Sequence, residues 1–103
     1  MAWPFSGVTA PNFDSGFASL PTSFTAIPSS PGGTCWLIGL SLSNSATQTI
    51  HVQVKDGGGT IFVDTDLVAG QVLPLEWNFM PASGTLQWVA DTTGIVGKMW
   101  GYS

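Results

Sequence analysis

An all-β domain, an antiparallel sandwich or small barrel of about six to eight strands behind an extended N-terminal arm, is the fold class predicted for this chain. Three observations predict it. Apolar residues recur at every second position, as in I-H-V-Q-V at 50–54 and L-P-L-E-W-N-F at 73–79, which is the period of a strand with one face in a core. Such stretches are separated by short clusters of Gly, Pro, Asn, Asp and Ser, and helical periodicity is absent. Finally, 103 residues suffice for one modest core.

Residues 1–33 form the arm. Five of the seven prolines, Pro4, Pro11, Pro21, Pro28 and Pro31, fall here, and each removes a backbone donor and pushes its predecessor toward an extended conformation. The segment nevertheless carries Trp3, Phe5, Phe13, Phe17, Leu20, Phe24 and Ile27 with Asp14 as its single charge, so it lacks the composition of a disordered tail. It needs a surface to lie on, either its own domain or a neighbouring subunit. P-S-S-P-G-G-T at 28–34 reads as a linker, which puts the start of a β domain, residues 34–103, at Thr34.

C-W-L-I-G-L-S-L-S at 35–43 reads as the first full strand, with Trp36, Ile38, Leu40 and Leu42 on one face and Leu37 making the other face apolar at its start. Asn44, Ser45 and Ala46 turn the chain into a hairpin over 47–63, so three consecutive strands are expected to form a meander. In that hairpin Ile50, Val52 and Val54 face the core, D-G-G-G at 56–59 makes the turn, and Ile61 and Val63 resume the alternation. Asp64-Thr65-Asp66 and residues 67–70 read as loop. The strand over 71–79 contains Pro74, which cannot donate to a ladder, so it belongs at an edge or carries a bulge. Residues 80–84 read as a turn, 85–90 as a strand with Leu86, Trp88 and Ala90 in phase, and 91–94 as another turn. In the last strand, 95–102, Gly97 and Gly101 mark places where a backbone or ring approaches closely. The expected core is Trp36, Ile38, Leu40, Ile50, Val52, Val54, Leu75, Trp77, Leu86 and Trp88.

Composition excludes several functions. Only 8% of residues are charged, against roughly 25% in an ordinary soluble domain. There is no Arg, and Lys55 and Lys98 are the only Lys residues, which leaves almost nothing to grip nucleic acid. No apolar run approaches the ~20 residues of a spanning helix, so no membrane partner is expected. The N-terminal stretch lacks a basic region and is broken by Pro, unlike a secretory signal. Cys35, the single cysteine, sits in an apolar run and reads as a small buried hydrophobe rather than a reactive thiol.

Catalytic and metal-binding constellations are equally thin. Asp64 and Asp66, with Asp56 nearby, lack the glycine and terminal glutamate of a calcium loop and read as a solvated turn. His51, the only histidine, lies on the polar face of its strand with no second nitrogen or thiolate ligand in sequence reach. Glu76 paired with Asp64 or Asp66 makes no recognisable two-carboxylate site, and Gly57–Gly59 is not followed by the Lys-Ser/Thr of a phosphate loop. No catalytic residue, metal or cofactor is expected.

Aromatic side chains are what remains. Trp36, Trp77 and Trp88 fall in phase with core faces, whereas Trp100 and Tyr102 lie on the phase opposite Ile95 and Met99. With Trp3, Phe5, Phe13, Phe17 and Phe24 from the arm, they are the interface candidates. The succession I-H-V-Q-V-K-D-G-G-G-T, E-W-N-F, G-T-L-Q-W-V-A-D and G-I-V-G-K-M-W-G-Y resembles small tailed-bacteriophage virion proteins that end in similar short strands and a Gly-aromatic terminus. The resemblance covers residues 35–102 and excludes the arm. It implies a structural component present in many copies, such as a decoration or cement protein or a tail accessory, assembled in a host cytoplasm and residing in the virion. It transfers no functional residues. The expected partners are other copies of the chain, with a trimer or another closed ring the simplest symmetric form, and other virion proteins. A carbohydrate-binding module or receptor-binding adhesin is the alternative.

Overall fold

A computed structural model describes residues 13–103. These residues contain no helix. Six full strands are β4 (Cys35–Asn44), β5 (Ile50–Lys55), β6 (Ile61–Leu67), β7 (Val72–Ala82), β8 (Gln87–Ala90) and β9 (Ile95–Tyr102), preceded by the two-residue strands β1 (Phe13–Asp14), β2 (Ala18–Ser19) and β3 (Thr25–Ala26). They make two antiparallel sheets. The first runs β1-β9-β4-β7, with β2 following β1 along β9, and the second runs β3-β8-β5-β6.

The chain changes sheet repeatedly after β4. The turn beginning at Asn44 does not continue a meander, because β4 lies in the first sheet and β5 in the second. Asn44 holds this crossing: its buried side-chain amide donates to the carbonyls of Gln48 and Leu67, and its Oδ1 accepts from the amide of Ala46. A buried amide with three partners is fully engaged rather than merely tolerated. The β5–β6 hairpin is present, with Ile50 opposite Leu67, Val52 opposite Thr65 and Val54 opposite Val63. β7 is the edge strand of the first sheet, where Pro74 faces Ser41 of β4 without having to donate to a further neighbour.

Between the sheets, Leu37, Leu40, Leu42, Ile95 and Met99 of the first meet Ile50, Val52, Val54, Leu67, Leu86 and Trp88 of the second, all essentially inaccessible. Each fully buried aliphatic side chain contributes about 1.5–3 kcal/mol before conformational entropy is set against it. Packing is tight at Gly97: a Cβ there would lie 3.0 Å from Cζ3 of Trp88 and 2.9 Å from the methyls of Leu20 and Leu42. The indole of Trp88 fills the space that a side chain at 97 would need. Phe13 covers Gly101 in the same way.

Two bulges redirect side chains relative to simple alternation. In β4 the register against β9 shifts between Leu37 and Gly39, so Ile38 is an extra residue, and a one-residue insertion exchanges the two faces. Cys35 and Leu37 therefore share the inner face with Leu40 and Leu42, while Trp36 and Ile38, expected in the core, are only half-buried. Opposite this bulge β7 also carries extra residues, and Phe79 there adopts a left-handed φ of 57°. In β6 the register slips at Phe62, which turns Ile61 outward. Leu75 and Trp77 are half-buried as well, because they line the unpaired edge of the first sheet.

Residues 13–33, expected as an arm outside a domain starting at Thr34, are woven into both sheets. β1 and β2 pair with β9, and β3 pairs with β8. Between them the amide of Leu20 donates to the carbonyl of Ile95, and that of Ala90 to the carbonyl of Pro21. Leu20 and Ile27 are buried in the common core. The turn over 28–34 is tied down too, since the Ser30 hydroxyl accepts from the amide of Leu86. Of the two surfaces open to this segment, its described part lies on its own domain.

Candidate functional site

The two outer faces differ in chemistry, and β9 builds the first. Its inward residues are Ile95, Gly97, Met99 and Gly101, so Val96, Lys98 and Trp100 point out. Trp100 stands opposite Gly39 of β4. A Cβ at position 39 would overlap the indole, at 2.2 Å from Cζ2 and 2.5 Å from Cε2. Glycine there lets the ring lie across the neighbouring strand. Beside it the turn from β1 to β2 displays Phe17, whose surface is 72% exposed.

That turn is held from both sides. The Asp14 carboxylate accepts from the amide of Gly16 at 2.8 Å, while the Ser15 hydroxyl accepts from the Met99 amide and the Ser15 amide donates to the Met99 carbonyl, both at 2.9 Å. Lys98 runs beneath: its ammonium is 3.3 Å from Asp14 Oδ2, 5.3 Å from the Phe17 ring centre and 5.7 Å from that of Trp100. The cation thus stiffens both rings through cation–π attraction. An exposed ring on a backbone fixed by these three hydrogen bonds is preorganised, so little ordering entropy remains to be lost when it is covered.

On the second sheet the outer face is polar and acidic. Asp64-Thr65-Asp66 is not a turn but the middle of β6, with Asp66 opposite His51 and Asp64 opposite Gln53. His51 Nδ1 lies 2.6 Å from Asp66 Oδ1, and its Nε2 lies 2.5 Å from Asp64 Oδ1. Gln53 Nε2 adds a bond of 3.2 Å to the same Asp64 oxygen. Hydrogen bonds to Asp66 and then Asp64 raise the His51 pKa, and bonds from Gln53 and then His51 lower that of Asp64. Both ring nitrogens are engaged by carboxylates, so the imidazole offers no lone pair to a metal. Among the described residues no group of three His, Cys, Asp or Glu is suited to holding a metal ion, and no pocket opens.

The interface candidates separate in the structure. Trp3 and Phe5 lie outside the described residues. Phe13 and Tyr102 present almost no surface: Phe13 because β1 pairs it against Gly101 and it joins the core, Tyr102 because its ring stacks on Phe79 at 5.6 Å and 19°. Burial raises the Tyr102 phenol pKa. Trp100 is half-buried, and Phe17 and Phe24 are exposed. Phe24 is on the other sheet, its ring 4.0 Å from the Lys55 ammonium. Of the five that are described, Phe17 and Trp100 are brought together, joined by Lys98. Cys35 is fully buried, and both desolvation and the nearby Asp56 charge raise its thiol pKa.

Sequence reasoning missed the His51–Asp64–Asp66 cluster, although the signal was there. Two aspartates separated by one residue share a face if the segment is a strand, and reading D-T-D as a turn discarded that spacing. Comparison with known proteins adds nothing to this geometry: no protein-family model matches the chain, and no curated protein matches it.

Proposed function

We propose that the chain is a non-enzymatic structural protein that self-associates and docks on a larger particle through the aromatic outer face of its first sheet. A virion is the particle to which the resemblance to tailed-bacteriophage proteins points, with the chain as a decoration, cement or tail-accessory component. The observation that carries the reading is Phe17, the most exposed large apolar side chain described, displayed on a turn clamped to β9 beside Trp100. A ring already held in place loses little ordering entropy when it is covered, and a few rigid aromatic anchors dominate the energy of an interface. Covering Phe17 contributes about 1.5–3 kcal/mol before association costs.

The contrast between the faces supports the same reading. One side presents Phe17 and Trp100 around the Lys98–Asp14 pair, while the other presents Asp64, Asp66 and Asp91 to solvent, with Phe24 its exposed ring. A subunit that coats a particle needs one adhesive and one hydrated side. Carbohydrate binding is the second reading, favoured by the indole lying along the sheet beside an exposed ring, an arrangement able to stack on sugar faces. Sedimentation velocity of the full chain at micromolar concentration, beside the Phe17→Ser variant and a glycan array, separates them. The docking reading expects a defined oligomer that Phe17→Ser dissociates with the circular-dichroism spectrum unchanged. A wild-type monomer that binds glycans overturns it.

A further inference from the structure

We propose that His51 is a proton-operated clasp: as an imidazolium it bridges Asp64 and Asp66 and ties the edge strand β6 to β5, and loss of its proton breaks one of the two bridges. The geometry demands the cation. Asp64 and Asp66 lie on one face of β6, and the ring nitrogens of His51 approach one oxygen of each, at 2.5 Å and 2.6 Å. An ionised carboxylate only accepts hydrogen bonds, so both ring nitrogens must donate, which only the imidazolium does. In neutral imidazole one nitrogen presents a lone pair to a carboxylate oxygen at contact distance, and that side must open.

The surroundings sharpen the effect. From β6 the ring meets Asp64 and Asp66; from the turn after β8, Asp91 Oδ1 accepts from the His51 amide at 3.2 Å. On its own strand the outward neighbours are Gln53, which bonds Asp64, and Lys55, whose ammonium is turned onto the Phe24 ring. Among the described residues, the imidazolium is therefore the cation set directly among three carboxylates, and its loss leaves their repulsion uncompensated. β6 has no partner on its other side among the described strands, so β5 is the one described strand that pairs with it, and an edge strand is where pairing with another chain begins.

The pH range follows from the directions of the shifts. A histidine whose folded pKa is raised contributes stability that is complete below its ordinary value of 6.5 and is lost as pH rises through the raised value. For Asp64, whose pKa is lowered, the contribution is present above 3.8 and is lost as pH falls through the lowered value. Between these two ordinary values both the His51 and the Asp64 contributions favour the closed clasp, which opens on the alkaline side by loss of the His51 proton.

Nitrogen-resolved NMR of the imidazole, with amide hydrogen exchange of β6 corrected for intrinsic rates, tests this on the full chain. The expected result is a ring protonated at both nitrogens with a midpoint above 6.5, and a midpoint lowered in the Asp64→Asn/Asp66→Asn double variant. Protection of β6 amides, relative to those of β4, should fall severalfold across the wild-type titration and show no such step in His51→Gln. Both sets of substitutions are on the exposed face, so the fold survives them. A wild-type midpoint at or below 6.5, a midpoint unmoved in the double variant, or β6 protection that stays constant through the titration overturns the clasp.

Discussion

Removing the Asp56 carboxylate should destabilise the protein more than any substitution in the chemically busier His51 cluster. Asp56 is buried at the end of β5, and its carboxylate is a hub for two loops. Oδ1 accepts from the amides of Gly58 at 3.0 Å and Thr60 at 2.9 Å, and Oδ2 accepts from the amide of Ser83 at 3.0 Å. The first two close the β5–β6 turn, and the third fastens that turn to the loop after β7, so one side chain links the ends of both sheets. In Asp56→Ala the Gly58 amide keeps the Ser83 carbonyl at 3.2 Å. The Thr60 and Ser83 amides lose their acceptor. Each orphaned donor costs about 1–3 kcal/mol, less where water can reach it. Since residues 57–60 and Ser83 are themselves exposed, the expected loss is about 2–4 kcal/mol. That is a large part of the 5–15 kcal/mol typical of a domain. Asp56→Asn keeps one carbonyl oxygen but turns an NH2 group toward one set of amide donors, so it should lose about half as much. Urea unfolding followed by tryptophan fluorescence reads both variants. A change within about 0.5 kcal/mol for Asp56→Ala, the range of neutral surface substitutions, or a larger loss for Asn than for Ala, would refute the hub.

Three further outcomes follow from the packing. Val52→Ala should cost about 1–3 kcal/mol in the same urea assay, and His51→Ala on the opposite face much less; equal losses would mean that the β5 register is misassigned. Gly39→Val should drive the Trp100 indole off the sheet, seen as a change in tryptophan emission and a loss of self-association, while a spectrum identical to wild type would contradict the close approach of the two residues. Cys35 should resist a thiol reagent in the native protein and react at once in denaturant, since its thiol is buried and its pKa raised; rapid native labelling would place it at the surface.

Local patterning by itself determined the all-β class, the β5–β6 hairpin with Ile50, Val52 and Val54 inward, the restriction of the strand holding Pro74 to an edge or a bulge, and the close approaches at Gly97 and Gly101. These are consequences of a period of two and of missing donors or side chains, which act within a few residues. Tertiary structure decided the rest. Both phases of C-W-L-I-G-L-S-L-S are apolar, so alternation has no preferred face there, and the bulge at Ile38 is chosen by which side chains the second sheet can accept. The change of sheet at Asn44 depends on carbonyls as distant in sequence as Leu67. Phe13 and Tyr102 were legible as aromatics but not as buried: β1 is only two residues long and acquires its place by pairing with β9 at the other end of the chain, and Tyr102 is covered by Phe79 from β7. The His51 cluster likewise exists because the hairpin register sets residues 51, 64 and 66 side by side. Period-two patterning records which way a side chain points; which strand lies next to it is settled by long-range contacts that no short stretch encodes.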